Sequence, residues 1–365
     1  MATRSRNTPG PRKKPAPALQ PRRRIAVIGA GMAGISCART LVQAGHDVTV
    51  FEKSSGASGR MASRDTPFGS FDTGAQYFTV RDPRFQQALA TTPQAARPWS
   101  ANAVRVLDEQ GQLSSPSLAH PEAHWVGAPA MNQLVRAWAA PLLAAGRLHL
   151  NTQVTALERD RLDAERWQLH CDGSGPTQGV QAGFDTVLLA LPAPQAAALL
   201  APLSAATELT AAAQQTRTAP CWTLMLAFPQ AEQPGLITLG PQWNVARSTH
   251  HRIAWLARES SKPGRSQVER WTVQASDVWS TEHLNDDPAR VQAKLLRAFV
   301  DVTGIRAEPA HQDVKLWRYA KTLQPLGQTH VWDPANGLGL CGDWCLGHRV
   351  EDAFVSGLSL ALNLA

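Results

Sequence analysis

At 365 residues, with 43% hydrophobic and 18% charged side chains, the chain has the length of about two domains and a globular composition, which excludes a fibrous or largely disordered protein. The net charge of +7 does not predict nucleic-acid binding, because eight of the 36 Lys and Arg residues fall in residues 1–24, where there is no acid. The other 28 basic residues face 29 acidic ones, so the rest of the chain is nearly neutral. We predict that residues 1–23 form a disordered basic tail, since this proline-rich stretch has no apolar face to bury.

The first predicted elements are a strand over residues 25–28, a tight turn and a helix. The turn consists of Gly29, Ala30, Gly31, Met32, Ala33 and Gly34. In a dinucleotide-binding unit such glycines permit a sharp turn, a close backbone approach to a pyrophosphate and tight packing of the helix on the sheet. A second strand ends at Glu52 and Lys53, where an acid binds an adenosine ribose. The pattern predicts a bound dinucleotide, either NAD or FAD.

Two segments after this unit resemble a known family. Residues 54–63 carry Gly59, Arg60 and Met61 and resemble the G-G-R-x-x-S element of FAD-dependent amine oxidases, with Ser58 where that family usually has glycine. An arginine in this loop can pair with the pyrophosphate. Residues 71–78, FDTGAQYF, resemble the D-x-G-A-Q-Y-F segment of the renalase-like branch. The resemblance implies that Gln76, Tyr77 and Phe78 lie over the flavin ring.

Two helices are predicted next. Asp82 and Pro83 are typical of an N-cap and first helical position, and this helix should run to about Leu89. A second helix is predicted over residues 131–138, where apolar residues recur at spacings of three and four.

Residues 148–191 read as short strands, which predict a meander that returns to a buried parallel strand. The resemblance places the Val154 backbone near the adenine and the end of the strand at residues 185–191 near the cofactor. Asp172-Gly173 is interpreted as a hairpin turn and not as a second nucleotide motif.

Residues 196–327 alternate Trp-rich strands, at 222–228, 253–257, 271–274 and 314–319, with one helix. That helix starts at an Asp286 or Asp287 cap and ends at Gly304, with Val291, Leu295, Phe299 and Val300 on its apolar face. Eight of the twelve Trp residues lie between Trp222 and Trp344, which makes flat apolar walls available to an aromatic substrate. By resemblance, Trp317, Arg318 and Tyr319 approach the flavin. Lys315 should share the face of Trp317 and Tyr319, whereas Lys321 is expected near a loop.

The last segment contains a strand that ends at Gly342 and Asp343, followed by the start of a final helix. The resembling family uses this G-D element to hold the ribityl and phosphate groups of the flavin. The helix start would direct its N–H groups toward the flavin, where negative charge collects on reduction. Its predicted cofactor-contacting residues are Arg349, Val350, Glu351 and Ala353, with Asp352 standing where the family often has glycine.

These elements predict an α/β fold in which a Rossmann-type FAD-binding domain is joined to a second, mixed-sheet α+β substrate domain, as in amine oxidases and p-hydroxybenzoate hydroxylase. The FAD-binding domain should comprise residues 24–81, 146–195 and 328–365, and the substrate domain residues 82–145 and 196–327. Four separated elements select FAD over NAD. The FAD should be noncovalent, because no Cys or His stands in a recognised flavin-linking motif.

The cysteines and apolar segments bear on the surroundings of the protein. The five cysteines show no zinc spacing and favour reduced thiols in a cytoplasm, with Cys341 and Cys345 interpreted as small buried residues beside the cofactor. The arginines before residue 25 are not expected to form an export signal, and no C-terminal membrane helix or metal site is expected.

The resemblance implies an FAD-dependent oxidase of renalase type. Its expected partners are a nicotinamide-like small molecule, a 2- or 6-dihydro isomer of NAD(P)H, and O2, which is reduced to hydrogen peroxide. An amine oxidase or desaturase on the same scaffold, or a non-enzymatic flavin-binding protein, stays open. The natural donor, the oligomeric state and the role of any lysine are left undetermined.

Overall fold

A computed structural model describes residues 21–100, 104–115, 122–174, 177–232 and 243–365. The first 20 residues of the predicted basic tail therefore lie outside the described residues. The helices are α1 Met32–Gln43, α2 Pro83–Ala90, α3 Gln133–Ala144, α4 Ala193–Leu200, α5 Thr207–Gln214, α6 Asp277–Glu282, α7 Pro288–Thr303 and α8 Val350–Leu364.

The strands of the first half are β1 Arg24–Ile28, β2 Asp47–Phe51, β3 Ser63–Arg64, β4 Phe71–Asp72, β5 Ala96–Trp99, β6 Arg105–Leu107, β7 Leu113–Ser115, β8 His124–Gly127, β9 Leu148–His149 and β10 Thr152–Arg159. Those of the second half are β11 Trp167–Gly173, β12 Gly179–Phe184, β13 Thr186–Leu189, β14 Arg217–Phe228, β15 Val245–Ser248, β16 Ile253–Arg258, β17 Glu269–Ala275, β18 His311–Gln324, β19 Val331–Asp333 and β20 Leu338–Leu340.

A six-stranded sheet organises the cofactor-binding part of the fold, in the order β19-β20-β13-β1-β2-β9. All neighbouring strands are parallel except the edge strand β19. Because helices or strands cover both faces, β20 and the residues of β1 and β13 after Arg24 and Thr186 are apolar and buried. Helices α1, α3 and α8 pack on one face, while α4, α5 and the β10-β11-β12 meander pack on the other.

The meander and the buried parallel strand predicted for residues 148–191 are both present. β10, β11 and β12 pair antiparallel, and β13 then inserts between β1 and β20. Asp172 and Gly173 are the last two residues of β11, so the connection to β12 begins two residues later than the predicted turn. The Rossmann-type fold is confirmed.

A seven-stranded mixed sheet organises the second part of the fold, in the order β18-β14-β17-β16-β15-β6-β7. Its strands exceed the predicted lengths, with 12 residues in β14 and 14 in β18. Lys321 therefore lies within a strand, and its predicted position near a loop is wrong. The mixed-sheet fold is confirmed. The exact division of the chain into two discontinuous domains stays a prediction.

The helix predictions differ from the structure only in detail. Asp82 caps α2 by accepting a hydrogen bond from the Arg84 N–H at 2.8 Å, as predicted. Asp287 caps α7, and Gly304 ends it with a φ of 72°. Val291, Leu295 and Phe299 of the predicted apolar face are buried together with Ala298 and Val302, whereas Val300 is only partly buried. Helix α3 continues past the predicted end to Ala144, with Pro141 inside it.

Within the part of the chain that the structure describes, no helix is both long and apolar enough to cross a membrane.

Candidate active site

A cavity of about 1160 Å³ lies at the carboxyl ends of the central parallel strands. Its wall contains residues that follow β1, β2, β13 and β20, together with residues of β14, β16, β17 and β18 from the second sheet. Ligands of open α/β sheets bind at this edge. The volume exceeds the roughly 300–1,000 Å³ of pockets for drug-sized ligands, so a dinucleotide and a second small molecule can share the space.

The glycine-rich turn shapes one end of the cavity. Gly29 has a φ of 104°, and a Cβ there would lie 2.6 Å from the Ala190 carbonyl oxygen. A Cβ on Gly59 would lie 2.9 Å from the Cα of Gly31, so two bare backbone segments meet at the cavity wall. Gly34 has a different role, because a Cβ there would overlap the Gly29 carbonyl oxygen at the contact between α1 and the turn.

The N-terminus of α1 opens onto this cavity. Its N-cap is Gly31, which has no side chain to accept from the first-turn N–H groups, and its first turn carries no acid. The first intrahelical bond joins the Ile35 N–H to the Gly31 carbonyl oxygen at 3.0 Å. The preceding N–H groups and the positive end of the helix dipole thus favour an anionic ligand such as a pyrophosphate.

Glu52 stands at the end of β2 and is buried in the cavity wall. Its two carboxylate oxygens accept hydrogen bonds from the Ala30 N–H and the Ser54 N–H, both at 2.8 Å. The carboxylate therefore joins the glycine-rich turn to the loop after β2, in addition to the ribose contact predicted for it.

Arg60 and Asp343 form an ion pair within the cavity wall. The Arg60 Nη1 donates to the Asp343 Oδ2 at 2.8 Å, and a second contact joins Nη2 to Oδ1. This pair connects the loop after β2 with the loop after β20. The pyrophosphate contact predicted for Arg60 and the ribityl contact predicted for Asp343 stay predictions.

The second helix start at the cavity belongs to α8. Arg349, Val350 and Ala353 line the cavity there, as does Gly342 before it. The Asp352 carboxylate accepts from the Arg349 N–H at 2.9 Å, so it caps the helix where the family often has glycine. Gly357 brings α8 against α1, because a Cβ there would overlap the Ala33 carbonyl oxygen.

The other end of the cavity has an aromatic wall. Trp255, Trp317 and Tyr319 line it. The Trp317 Nε1–H donates to the Thr73 carbonyl oxygen at 2.7 Å, which fixes the indole relative to the loop after β4. The Lys315 Nζ lies 4.0 Å from the centre of the Trp317 ring, confirming that both side chains share one face of β18.

The cavity wall brings together most of the predicted site residues. These are Gly29, Gly31, Met32, Ala33, Glu52, Lys53, Gly59, Arg60, Met61, Val154, Trp317, Arg318, Tyr319, Gly342, Asp343, Arg349, Val350 and Ala353. Five others lie outside the wall: Gly34, Gln76, Tyr77, Phe78 and Glu351.

The residues outside the wall support it from behind. Tyr77 stacks on Trp255 with ring centres 5.5 Å apart, and Phe78 packs on Phe85 in the core. Glu351 accepts from the Arg81 and Asp82 N–H groups, both at 2.6 Å. These residues do not line the cavity, and their direct contact with a flavin stays a prediction.

A buried charge cluster behind the cavity wall was not predicted from the sequence. The Lys262 ammonium donates to Asp72 at 2.9 Å and to Gln76 and Glu259 at 3.0 Å, and the Arg265 guanidinium donates to Asp72 at 2.8 Å. The ion-paired side chains of the cluster are fully buried. Burial pushes the pKa of Asp72 upward, but Lys262 and Arg265 outweigh it and lower the pKa to about 2. The carboxylate is therefore charged at neutral pH, and the cluster holds the loop that accepts from Trp317.

The cysteines are free, and Cys341 and Cys345 are buried as predicted, while their position beside the cofactor stays a prediction. A hydrogen bond with Cys37 and burial both raise the pKa of Cys341. Burial also raises the pKa of Cys345. These thiols are poor nucleophiles. No group of His, Cys, Asp or Glu side chains in the described ranges is arranged to hold a metal ion.

The residues of this cavity fit FAD. The bare backbone at Gly31 and Gly59 and the uncapped start of α1 suit the pyrophosphate. Glu52 suits the adenosine ribose, and the start of α8 suits the flavin end. Each of these protein groups is chemically suited to the part of FAD that is named with it.

Replacing Glu52 with Ala should weaken FAD retention by about 1.5–3 kcal/mol, because the change removes charge-assisted hydrogen bonds and leaves the buried Ala30 N–H without its acceptor. Equilibrium dialysis of the flavin gives the dissociation constant. Asp47→Asn, at the opposite end of the same strand, is the matched control. Equal flavin affinity in the Glu52 variant and the control would contradict the assignment.

The chain is similar to known families and to individual proteins. Residues 117–364 match the family described as flavin containing amine oxidoreductase, and residues 27–92 match the NAD(P)-binding Rossmann-like domain. A 59-residue stretch is 43% identical to 4,4'-diapophytoene desaturase (4,4'-diaponeurosporene-forming) of Staphylococcus aureus strain Newman. That match spans 16% of this chain and only 12% of the desaturase.

Three solved structures share the fold over 94% of this chain. A candidate protoporphyrinogen oxidase from Exiguobacterium sp. 255-15 is 14% identical, with 98% of that chain covered and a TM-score of 0.71. Cyclohexylamine oxidase from Brevibacterium oxydans IH-35A is 12% identical, and putrescine oxidase bound to putrescine is 11% identical. For both, 99% of the chain is covered and the TM-score is 0.68.

The similarity to solved structures concerns the fold alone. The family match covers more than half of the chain and therefore shows its family. It confirms the predicted flavin cofactor and the prediction of an oxidoreductase enzyme. The chain belongs to the flavin-containing amine oxidoreductase family.

Proposed function

We propose that this protein is an FAD-dependent oxidase of renalase type, which oxidises 2- or 6-dihydro isomers of NAD(P)H to NAD(P)+. The bound flavin supplies the acceptor for the hydride, and O2 then takes up the two electrons and becomes hydrogen peroxide. The FAD is held noncovalently. The proposal rests on the charge of the cavity wall and on the aromatic side chains beside Trp317.

The charge of the cavity wall carries the proposal. Among the described residues of the wall, seven are Lys or Arg and three are acids. The basic ones are Lys53, Arg60, Arg136, Lys315, Arg318, Lys321 and Arg349, and the acids are Glu52, Asp277 and Asp343. Such a wall attracts phosphate groups and repels an ammonium.

The position of Lys315 sharpens the argument against a cationic amine. An ammonium substrate is stabilised over the face of an aromatic ring, and here the Lys315 Nζ already lies over Trp317 at 4.0 Å. A second cation at this face of the Trp317 ring would be repelled by the Lys315 ammonium in a half-buried site. The dihydronicotinamide ring of the proposed donor is uncharged and flat, and the phosphates of the donor are anionic.

Stacking and orientation supply what the protein has to add to this reaction. Loss of hydride makes the nicotinamide ring aromatic, so no strong base is needed. The aromatic wall would hold the ring by stacking, and the reacting atoms must approach to roughly 3–3.5 Å. The hydrogen bond from Trp317 to Thr73 keeps that wall in one orientation.

The decisive test is anaerobic mixing of the flavin-loaded protein with candidate donors. We expect rapid loss of the oxidised flavin absorbance with the 6-dihydro isomer, and far slower loss with ordinary 4-dihydro NAD(P)H and with simple amines. Hydrogen peroxide should appear when air is admitted. Faster bleaching by an amine than by any dihydronicotinamide would contradict the proposal.

Oxidation of an amine, or desaturation of another small molecule, is the second candidate. The family match and the structural likeness to putrescine and cyclohexylamine oxidases support it at the level of fold. The same mixing experiment separates the two candidates.

A further inference from the structure

Lys315 is the half-buried cation of the aromatic wall. It lies in the middle of β18, and its Nζ stands 4.0 Å from the centre of the Trp317 ring. Among the described residues, no hydrogen bond or ion pair engages its ammonium. Burial, and secondarily the charge of Arg64, lower the pKa of Lys315, which reflects a positive group short of counter-charge.

The acids of the cavity wall, and Asp313 on the same strand, already have hydrogen-bond or ion-pair partners. Asp313, two residues earlier on the same strand, forms an ion pair with Arg64. Of the acids in the cavity wall, Glu52 accepts from two backbone N–H groups and Asp343 pairs with Arg60. Asp277 accepts from the Val278 N–H at 2.9 Å. None of these carboxylates forms an ion pair with Lys315, so its ammonium can accept an anionic group of a molecule that enters the cavity.

We infer that Lys315 forms an anion subsite that binds a phosphate of the electron donor beside Trp317, and thereby selects phosphate-bearing donors over cationic amines. This inference rests on the proposed function for the identity of the donor. The lysine ammonium is a compact point charge with three hydrogen-bond donors on a flexible stem. It can therefore follow a phosphate at a mobile end of a ligand.

The alternative role for Lys315 is structural: its stem and charge could only shape the Trp317 wall. Two variants separate the roles. Lys315→Met keeps an unbranched apolar side chain over the indole and removes the charge. Lys315→Arg keeps the charge. Lys294→Met removes a surface lysine that pairs with Asp286 outside the cavity, and serves as the control.

The experiment uses three donors that carry the same dihydronicotinamide ring, as the 6-dihydro isomer: the riboside without phosphate, the mononucleotide and the adenine dinucleotide. Anaerobic flavin reduction gives a half-saturating concentration and a limiting rate for each. In Lys315→Met we expect the half-saturating concentration to rise roughly tenfold or more for the two phosphate-bearing donors, as for loss of one charge-assisted contact. The riboside should be unaffected, and Lys315→Arg should restore most of the affinity.

Calorimetric titration of the flavin-loaded protein with inorganic pyrophosphate tests the subsite without turnover. Binding that weakens at least tenfold in Lys315→Met, but not in Lys294→Met, supports the subsite even if no dihydronicotinamide reduces the flavin, in which case the proposed function alone fails. Equal pyrophosphate binding in wild type and Lys315→Met overturns the inference. So does an equal change in affinity for the riboside and the mononucleotide, which would indicate that Lys315 acts through the shape of the wall.

Discussion

Replacing Asp72 with Asn is expected to lower the free energy of unfolding by about 3–5 kcal/mol, the usual effect of removing one partner of a buried ion pair. Lys262 would still pair with Glu259, but Arg265 would lose its carboxylate, so two fully buried cations would share one buried anion. The loop that carries Thr73 would loosen, and with it the acceptor of the Trp317 hydrogen bond. Urea unfolding followed by far-UV circular dichroism measures the change.

Asp163→Asn is the matched control for this prediction. Asp163 pairs with Arg166 at 3.3 Å, but both side chains are nearly half exposed. Such surface pairs contribute about 0–1 kcal/mol, so the control should unfold almost like the wild type. An Asp72 variant as stable as this control would mean that the buried cluster is not what holds the loop.

Replacing Gly34 with Ala should leave the purified protein nearly free of flavin and lower the free energy of unfolding by about 1–3 kcal/mol, as for overpacked sites. The added methyl would overlap the Gly29 carbonyl oxygen and would lie 3.1 Å from the Ala190 Cβ. Helix α1 would have to move away from the glycine-rich turn, and its N-terminus would leave the phosphate site. Flavin absorbance after gel filtration and thermal unfolding report the two effects.

Gly45→Ala distinguishes this effect from a general intolerance of glycine substitution. Gly45 follows the same helix with a φ of 92°, and a Cβ there would meet no atom within 4 Å. Its replacement strains the backbone alone, so stability should fall modestly while flavin content stays at the wild-type value. Full flavin content in the Gly34 variant would refute the proposed close contact.

The features that could be predicted from the sequence are those encoded in neighbouring residues. The glycine spacing at Gly29, Gly31 and Gly34 fixes a turn and a helix start within six residues. The alternation along β18 likewise places Lys315 beside Trp317. The Asp287 cap and the left-handed Gly304 bound α7 for the same local reasons.

The features that were missed depend on residues far apart in the chain. Lys262 lies in a Ser-Ser-Lys-Pro-Gly stretch that is typical of an exposed turn, yet its ammonium meets Asp72, which lies 190 positions away. Tyr77 and Phe78 are a different case, because their expected place over the flavin comes from the resemblance of the motif to a family segment and stays a prediction. The motif cannot tell which side chains of the segment face the cavity and which face the core.

The position of β20 beside β13 has a consequence for how the protein is made. The glycine-rich turn at Gly29 is synthesised early, whereas Gly342 and Ala353, which line the same cavity, follow more than 300 residues later. A nascent chain therefore carries half of the cavity through most of its synthesis. Flavin capture should be a post-translational step, and products released before β20 and α8 are made should be colourless.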